Sequence, residues 1–410
     1  MNIATLSFLP NSGAGLDRWI IVVVSCLLAL GLVMVASSTI DISAAAKHGN
    51  AFVYMNSHFV KIVMGVFAGA VIFLIPTHFW QNTSGYWLMF CFVLLVLVLI
   101  PGIGKNVNGS TRWIRLGFLN LQASELVKVF MVVYVAGYLV RHGHDVKEYW
   151  LGFLKPMVLL GLIGFLLLLE PDFGGLVVLF SVIMGMLFLA GMKFYRFILL
   201  ILGSLSLGGL LAVLQPYRVD RLTAYMNPWA DENDTGYQLI QALAAFGRGG
   251  IHLWGVGLGN SVQKQAHLPE AHTDFIVAII GEELGFIGVV AMLMLFAVLV
   301  FRCFQLGYQA EKRSWFFHAY LLYGIALLIS IQSLVNIGVN VGLLPTKGLT
   351  LPFVSYGGSS MLANCILMGM ALRISYELRS PAVTKKVAKK STRKAVEKAK
   401  NTKATEEVMA

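Results

Sequence analysis

Long apolar runs separated by short polar turns dominate the chain. Ten of them approach the length of a membrane crossing: Trp19–Ser38, His58–Ile75, Tyr86–Ile100, Leu126–Val140, Pro156–Leu169, Gly174–Gly191, Phe194–Leu214, Phe275–Phe301, Phe316–Leu344 and Pro352–Ser375. A helix needs about 20 apolar residues to cross a bilayer, and the third to fifth runs fall short of that. The runs are continuous rather than alternating, which excludes a β-barrel. Each is predicted helical, because the bilayer core offers no partner to free backbone groups. The predicted fold is therefore an all-α integral membrane protein, a polytopic bundle of about ten transmembrane helices with a large outer loop before the eighth helix. The first run has no Lys or Arg before Arg18 and reads as an uncleaved anchor rather than a signal peptide.

Composition sharpens this. Apolar residues make up 58% of the 410-residue chain and charged residues 12%, against about 45–50% and about 25% in soluble domains. A soluble enzyme with one core and a disordered chain are both excluded. Cys26, Cys91, Cys303 and Cys365 lie in or beside apolar runs without a CxxC, so they read as packing residues rather than a disulfide framework or zinc site. No internal repeat is visible, which argues against a transporter built from duplicated halves.

The membrane region is divided into a short N-terminal segment (1–17), a membrane domain (18–378) and a basic tail (379–410). With both termini on the cytoplasmic side, inner and outer segments carry nine basic residues each, and the tail from Arg373 adds eleven to the inner side. The positive-inside rule thus rests on the tail, which reads as a solvated topology anchor or an anionic-lipid contact. Outer loops 101–124 and 215–274 hold seven of the nine external basic residues. Basic residues placed against the usual bias point to an anionic ligand at the outer surface.

Within these loops, LPEAHTDFIVAIIGEELGFIG (Leu268–Gly288) sets Glu270, His272, Asp274, Glu282 and Glu283 at the start of a span. If helix begins near Asp274, Glu282 lies about 80° around from it and about 12 Å along the axis, with Glu283 on the opposite face. That is beyond the about 5–9.5 Å of a glycosidase carboxylate pair. Asp274 then acts alone or caps the helix, while Glu282 and Glu283 are supporting acids that need cationic partners. His267 and His272 with Glu270 make only a weak metal signal.

NVNGSTRWIRLGFLNLQASELVK (Asn106–Lys128) has an interfacial pattern in which Arg112 and Arg115 flank Trp113-Ile114, and Glu125 and Lys128 can pair at i, i+3. LEPDFG (Leu169–Gly174) reads as a tight outer turn. The glycine-dense GRGGIHLWGVGLGN (Gly247–Asn260) lacks a phosphate-loop fingerprint; either loop flexibility or close backbone approach to a pyrophosphate would explain it. GLLPTKGLTLPFVSYGGSS (Gly342–Ser360) puts Lys347 between proline-broken helices, as a site wall.

The motifs at Leu268–Gly288, Gly342–Ser360 and Arg112–Lys128 resemble those of the SEDS (shape, elongation, division and sporulation) family. The resemblance covers about Arg18 to Ser375 and leaves out the tail. Ala123 stands where the family more often has Pro. TKGLTLPFVSYGG is similar to the division-type rather than the elongation-type branch. The resemblance implies ten helices with cytoplasmic termini in the bacterial inner membrane. It also implies a peptidoglycan glycosyltransferase that polymerises lipid II at the division septum, alongside a class B penicillin-binding transpeptidase and other division proteins, with no nucleic-acid partner.

The family's essential outer-loop acid maps onto Asp274, which is expected to act as general base. Arg112, Arg115, Lys128, Arg221, Arg248 and Lys347 are the candidate pyrophosphate-binding cations, and Glu125, Glu282 and Glu283 the supporting acids. A divalent cation (Mg or Mn) could share the charge, although the sequence shows no dedicated cage. The rival reading is a lipid II flippase that moves the same substrate without bond formation.

Overall fold

The computed structural model describes residues 15–46, 51–107, 110–116, 119–213, 225–232, 236–251, 253–265, 268–345 and 348–380. The chain is mostly helical. Helices α1 (Arg18–Ala46), α2 (Val53–Leu74), α3 (Thr77–Asn82) and α4 (Ser84–Leu99) lead into a three-stranded antiparallel sheet of β1 (Gly104–Val107), β2 (Ser110–Leu116) and β3 (Leu119–Gln122). Then follow α5 (Ala123–Glu148), α6 (Trp150–Leu169), α7 (Phe173–Leu189), α8 (Phe194–Val213), α9 (Tyr237–Gly250), α10 (Ile276–Glu283), α11 (Gly285–Lys312), α12 (Phe316–Asn340) and α13 (Gly358–Arg379).

Among the described residues, seven helices qualify by length and apolarity as membrane spans: α1, α2, α5, α6, α11, α12 and α13. Three shorter apolar helices lie within α4, α7 and α8, at the third, sixth and seventh predicted runs. The fourth and fifth runs are longer than predicted, at 26 and 20 residues. The polar residues at both ends of α5, up to Glu125 and from Arg141, and Lys155 with Pro156 in α6 hid their true ends.

Three further expectations need correction. The outer loop 101–124, read from sequence only as a loop with an interfacial pattern around Arg112–Arg115, carries the sheet, where β2 pairs with both neighbours. The eighth run is not one helix. It breaks at Leu284–Gly285, where Gly285 takes φ +64°, a left-handed conformation that ends a helix at little cost only in glycine. The tenth run starts later than predicted, because residues 351–357 form a turn before α13.

The densest packing joins α2 to α13. Gly65 and Gly69 face Cys365 and Gly369 so closely that a Cβ on Gly69 would lie 2.7 Å from the Cys365 carbonyl oxygen. Small residues four apart let helix backbones approach in lipid, where dispersion replaces the hydrophobic effect. Cys91, Cys303 and Cys365 are buried free thiols, while Cys26 is exposed.

Both ends of the described chain meet at one end of the bundle. Asp17 Oδ2 accepts hydrogen bonds from Arg302 (2.7 Å) and from Arg379 (2.5 Å). The 22 residues of α13 then place its start about 33 Å away, roughly one hydrocarbon thickness. The Leu268–Phe275 loop is at that far end, tied to it by the Tyr356 amide donating to the His272 carbonyl (2.9 Å).

Candidate active site

Three amides on one face of α12 build the site. Gln332, Asn336 and Asn340 follow each other at four-residue spacing, and all are buried. The Asn336 and Asn340 side chains each donate to the Asp274 carbonyl (2.9 Å), and Asn336 also donates to the Leu349 carbonyl (2.5 Å). Asn340 Oδ1 accepts from the Ala278 amide (3.1 Å), and Gln332 Nε2 donates to the Thr350 carbonyl (3.1 Å). Two loops far apart in sequence, 268–275 and 348–355, are thereby clamped to one helix. This stripe is missing from the candidates above. Its signal was present: three amides at helical spacing inside an apolar run, where each is costly unless bonded.

The clamp fixes the Asp274 backbone and leaves its carboxyl free. Among the described residues no donor lies within hydrogen-bonding distance of the carboxylate, which sits close to Gly348 with Oδ2 3.2 Å from a Cβ built there. Asp274 is half-buried. Burial, helped by the negative charge of Glu270 and opposed by the Arg112 guanidinium, raises its pKa to about 7. Asp274 is not a helix cap: α10 starts at Ile276, with Phe275 at the cap position and no side-chain cap bond. The helical-wheel relation to Glu282 therefore does not apply.

The predicted cations fall into distinct settings. Arg112 and Arg115 lie three apart on β2 and so occupy opposite faces. Arg112 shares its face with buried Ile114 and donates to the Glu170 carbonyl (3.1 Å) and to the Pro171 carbonyl, whereas Arg115 is exposed. Among the described residues, Arg112 is the cation whose charge reaches Asp274. Lys128 is buried and donates to Glu125 Oε1 (2.9 Å) and Gln332 Oε1 (2.8 Å), joining the predicted Glu125–Lys128 pair to the amide stripe. Arg248 pairs with buried Glu282 (3.1 Å). Arg221 and Lys347 lie outside the described residues.

Glu282 and Glu283 brace the break between α10 and α11. Glu282 also accepts from Ser261 Oγ and the Val262 amide (3.0 Å), while Glu283 accepts from Ser37 Oγ (2.6 Å) and lies 3.6 Å from Lys264 Nζ. Their main-chain carbonyls, freed by the break, accept from the Val256 amide (2.9 Å) and the Gly257 amide (3.0 Å). A Cβ on Gly255 (φ +73°) would lie 2.4 Å from the Gly285 nitrogen. The glycine-dense stretch thus serves close backbone packing around a helix break.

Glu170 is fully buried with neither carboxyl oxygen bonded, and burial together with Asp172 pushes its pKa to about 8. No group of three or more His, Cys, Asp or Glu able to hold a metal ion stands together among the described residues.

Residues 17–380 match the FtsW/RodA/SpoVE family model, described as cell cycle protein. The chain belongs to this family. Relatives of this FtsW/RodA/SpoVE chain include a probable peptidoglycan glycosyltransferase FtsW of Coxiella burnetii, 50% identical over 88% of this chain and 96% of that protein. Another, from Hahella chejuensis, bears the same name and is 51% identical over 86% of this chain and 88% of its own.

Among solved structures, a chain of a peptidoglycan synthase complex, reported for the structural coordination of polymerization and crosslinking, aligns with TM-score 0.72 and 28% identity. It covers 89% of this chain and 98% of its own length. The rod shape determining protein RodA of Thermus thermophilus aligns with TM-score 0.64 at 25% identity, over 89% and 98%.

Proposed function

We propose that the protein is the glycosyltransferase that polymerises lipid II into septal peptidoglycan, with Asp274 as its general base. One observation carries the assignment of the base. Asp274 is a carboxyl without a donor among the described residues, its backbone is rigidly held, and its pKa of about 7 is matched to proton transfer at neutral pH. Its ionised form accepts the proton of the 4-hydroxyl on the GlcNAc of an acceptor lipid II. That oxygen attacks C1 of the donor chain's MurNAc from the face opposite the pyrophosphate, so the new link is β-1,4 and the configuration inverts. Undecaprenyl pyrophosphate leaves with the bonding electrons and needs positive charge more than a proton.

Arg112 is the best placed of the named cations to supply that charge, since its guanidinium acts on Asp274 from β2. Arg115, Arg221 and Lys347 remain candidates of the same loops. Lys128 and Arg248 are committed to Glu125 and Glu282, so we assign them to positioning. Among the described residues the acids near Asp274 do not form a set that would cage a divalent cation.

The Asp274 end faces the outside of the bacterial inner membrane, and both termini lie in the cytoplasm. A class B penicillin-binding transpeptidase is the expected partner at the septum, and the basic tail beyond Ser380 an anchor for topology. Purified protein given lipid II, with and without a transpeptidase whose own active site is blocked, should produce long glycan chains. Asp274→Ala should produce none while remaining folded. Normal chains from the variant would sink the assignment. Translocation of lipid II without chain growth in the wild type would establish the flippase instead.

A further inference from the structure

Beside Asp274, α2 carries a group of nitrogen donors that the scheme above does not use. His58 is fully buried, and neither ring nitrogen has a hydrogen-bond partner. Lys61 follows three residues later and so lies on the same face of α2. Its ammonium rests on the Tyr356 ring, 3.4 Å from the centroid, and among the described residues no carboxylate pairs with it. His272, two residues before Asp274, has a buried Nδ1 that is likewise unpartnered. The imidazoles of His58 and His272 stand 5.7 and 5.4 Å from the Tyr356 ring, and Tyr54 closes the group at 5.5 Å from His272 and 5.7 Å from Tyr356.

Three nitrogen-bearing side chains thus surround one aromatic ring. The acid near them, Glu270, is turned toward the Thr273 hydroxyl (2.7 Å). A neutral imidazole always carries one N–H donor and lysine carries three, and buried donors in proteins are as a rule satisfied. The group therefore offers donors and positive charge and lacks the matching acceptor. Burial and Lys61 depress the proton affinity of His272, against the pull of Glu270, so an added anion would relieve both.

We infer that the outer end of α2 and the Tyr356 turn form a binding site for a phosphoryl anion, with Lys61 and His272 as its contacting groups and His58 as a buried donor behind them. The diphosphate of a lipid-linked donor sugar is the ligand chemistry that fits, because the site adjoins the proposed base by two residues of backbone. A phospholipid headgroup shares this chemistry. Naming the donor as the source rests on the polymerase reading; the anion site itself does not.

The test measures equilibrium binding to the full-length protein carrying Asp274→Asn, which cannot turn over. The probes are undecaprenyl pyrophosphate, undecaprenol and phosphatidylglycerol. Lys61→Met added to that protein should weaken undecaprenyl pyrophosphate binding by about tenfold or more, the scale of one charge-assisted hydrogen bond. Lys61→Arg should retain most of the affinity, and undecaprenol binding should not change. Equal affinity in Lys61→Met and its parent would overturn the site. If Lys61→Met fails to fold, nitrogen-15 histidine spectra of the Asp274→Asn protein decide: undecaprenyl pyrophosphate should shift the His58 and His272 ring signals, and unmoved signals overturn the proposal.

Displacement of undecaprenyl pyrophosphate by equimolar phosphatidylglycerol would support the anion site while overturning the donor as its source. Wild-type protein that makes no glycan, yet binds the pyrophosphate in a Lys61-dependent way, would count against the polymerase reading and leave the site standing.

Discussion

The two ends of the bundle treat charge in opposite ways. At the end where the chain termini meet, each buried acid is saturated. Asp17 takes Arg302, Arg379 and the Ile20 amide, and Glu377 takes Arg373 (2.7 Å), His318 (3.0 Å) and the Thr77 amide (3.1 Å). Burial alone would raise the pKa of Asp17, yet the hydrogen bond and charge of Arg302 hold it below the ordinary value. At the far end, Asp274 and Glu170 have no donor among the described residues, and burial drives both upward. Saturated charges tie helices together. A carboxyl held in place but left unpaired can change its protonation state, which is what a general base must do. The contrast fits the proposed role of Asp274, while Glu282 and Glu283 on the same side are saturated and brace the fold.

Substitutions can break that contrast, and the largest effect belongs to Asp274. Asp274→Asn keeps shape and removes the base, so polymerisation should fall by about 100- to 10,000-fold, the usual worth of general-base catalysis, with the thermal midpoint unchanged. Next comes the buried link between the amide stripe and α5. Lys128→Met leaves Glu125 buried and unpaired and should cost about 3–5 kcal/mol in reversible unfolding. Adding Glu125→Gln should recover much of the loss, whereas a purely catalytic role for Lys128 predicts no recovery.

At the opposite end, Asp17→Asn should lower the thermal midpoint and leave the rate per folded molecule intact, because it removes the buried carboxylate that Arg302 and Arg379 share. The effect at Glu170 depends on pH. Its carboxyl is neutral in the fold up to a pKa of about 8, so the stability linked to that proton is present at low pH and lost as pH rises through about 8. Glu170→Gln should match the wild type at pH 4, below the ordinary carboxyl pKa, and exceed it in thermal midpoint at pH 9, with the gap opening as pH rises toward about 8.

Much of the fold was legible in hydropathy because lipid imposes one solution on each apolar run. Helix ends were less so: α5 and α6 extend through polar residues that apolar counting stops at, and Gly285 breaks the eighth run by its backbone angle alone. The sheet at 104–122 was missed because Arg112, Trp113 and Arg115 fit an interfacial helix as well as a strand, and only pairing with β1 and β3 distinguishes them.

The candidate base was found from a carboxyl at a span boundary together with the family motif. Its surroundings were not, since they depend on contacts between distant segments. Asn336 and Asn340 hold Asp274 from more than 60 residues away, and Lys61 meets Tyr356 across nearly 300. Charge counts predicted an outer cationic region but could not tell Arg112, which acts on Asp274, from Arg248, which is held by Glu282.

The most direct test of the central claim is the pH dependence of lipid II polymerisation in wild type and Glu270→Gln. On the proposed mechanism ionised Asp274 is the active form, so the wild-type rate should rise with pH through about 7 and then level off. Removing the negative charge of Glu270 makes ionisation easier, so the rising limb should move to lower pH while the plateau stays. A flat profile, or a limb that Glu270→Gln leaves in place, would contradict Asp274 as the proton acceptor.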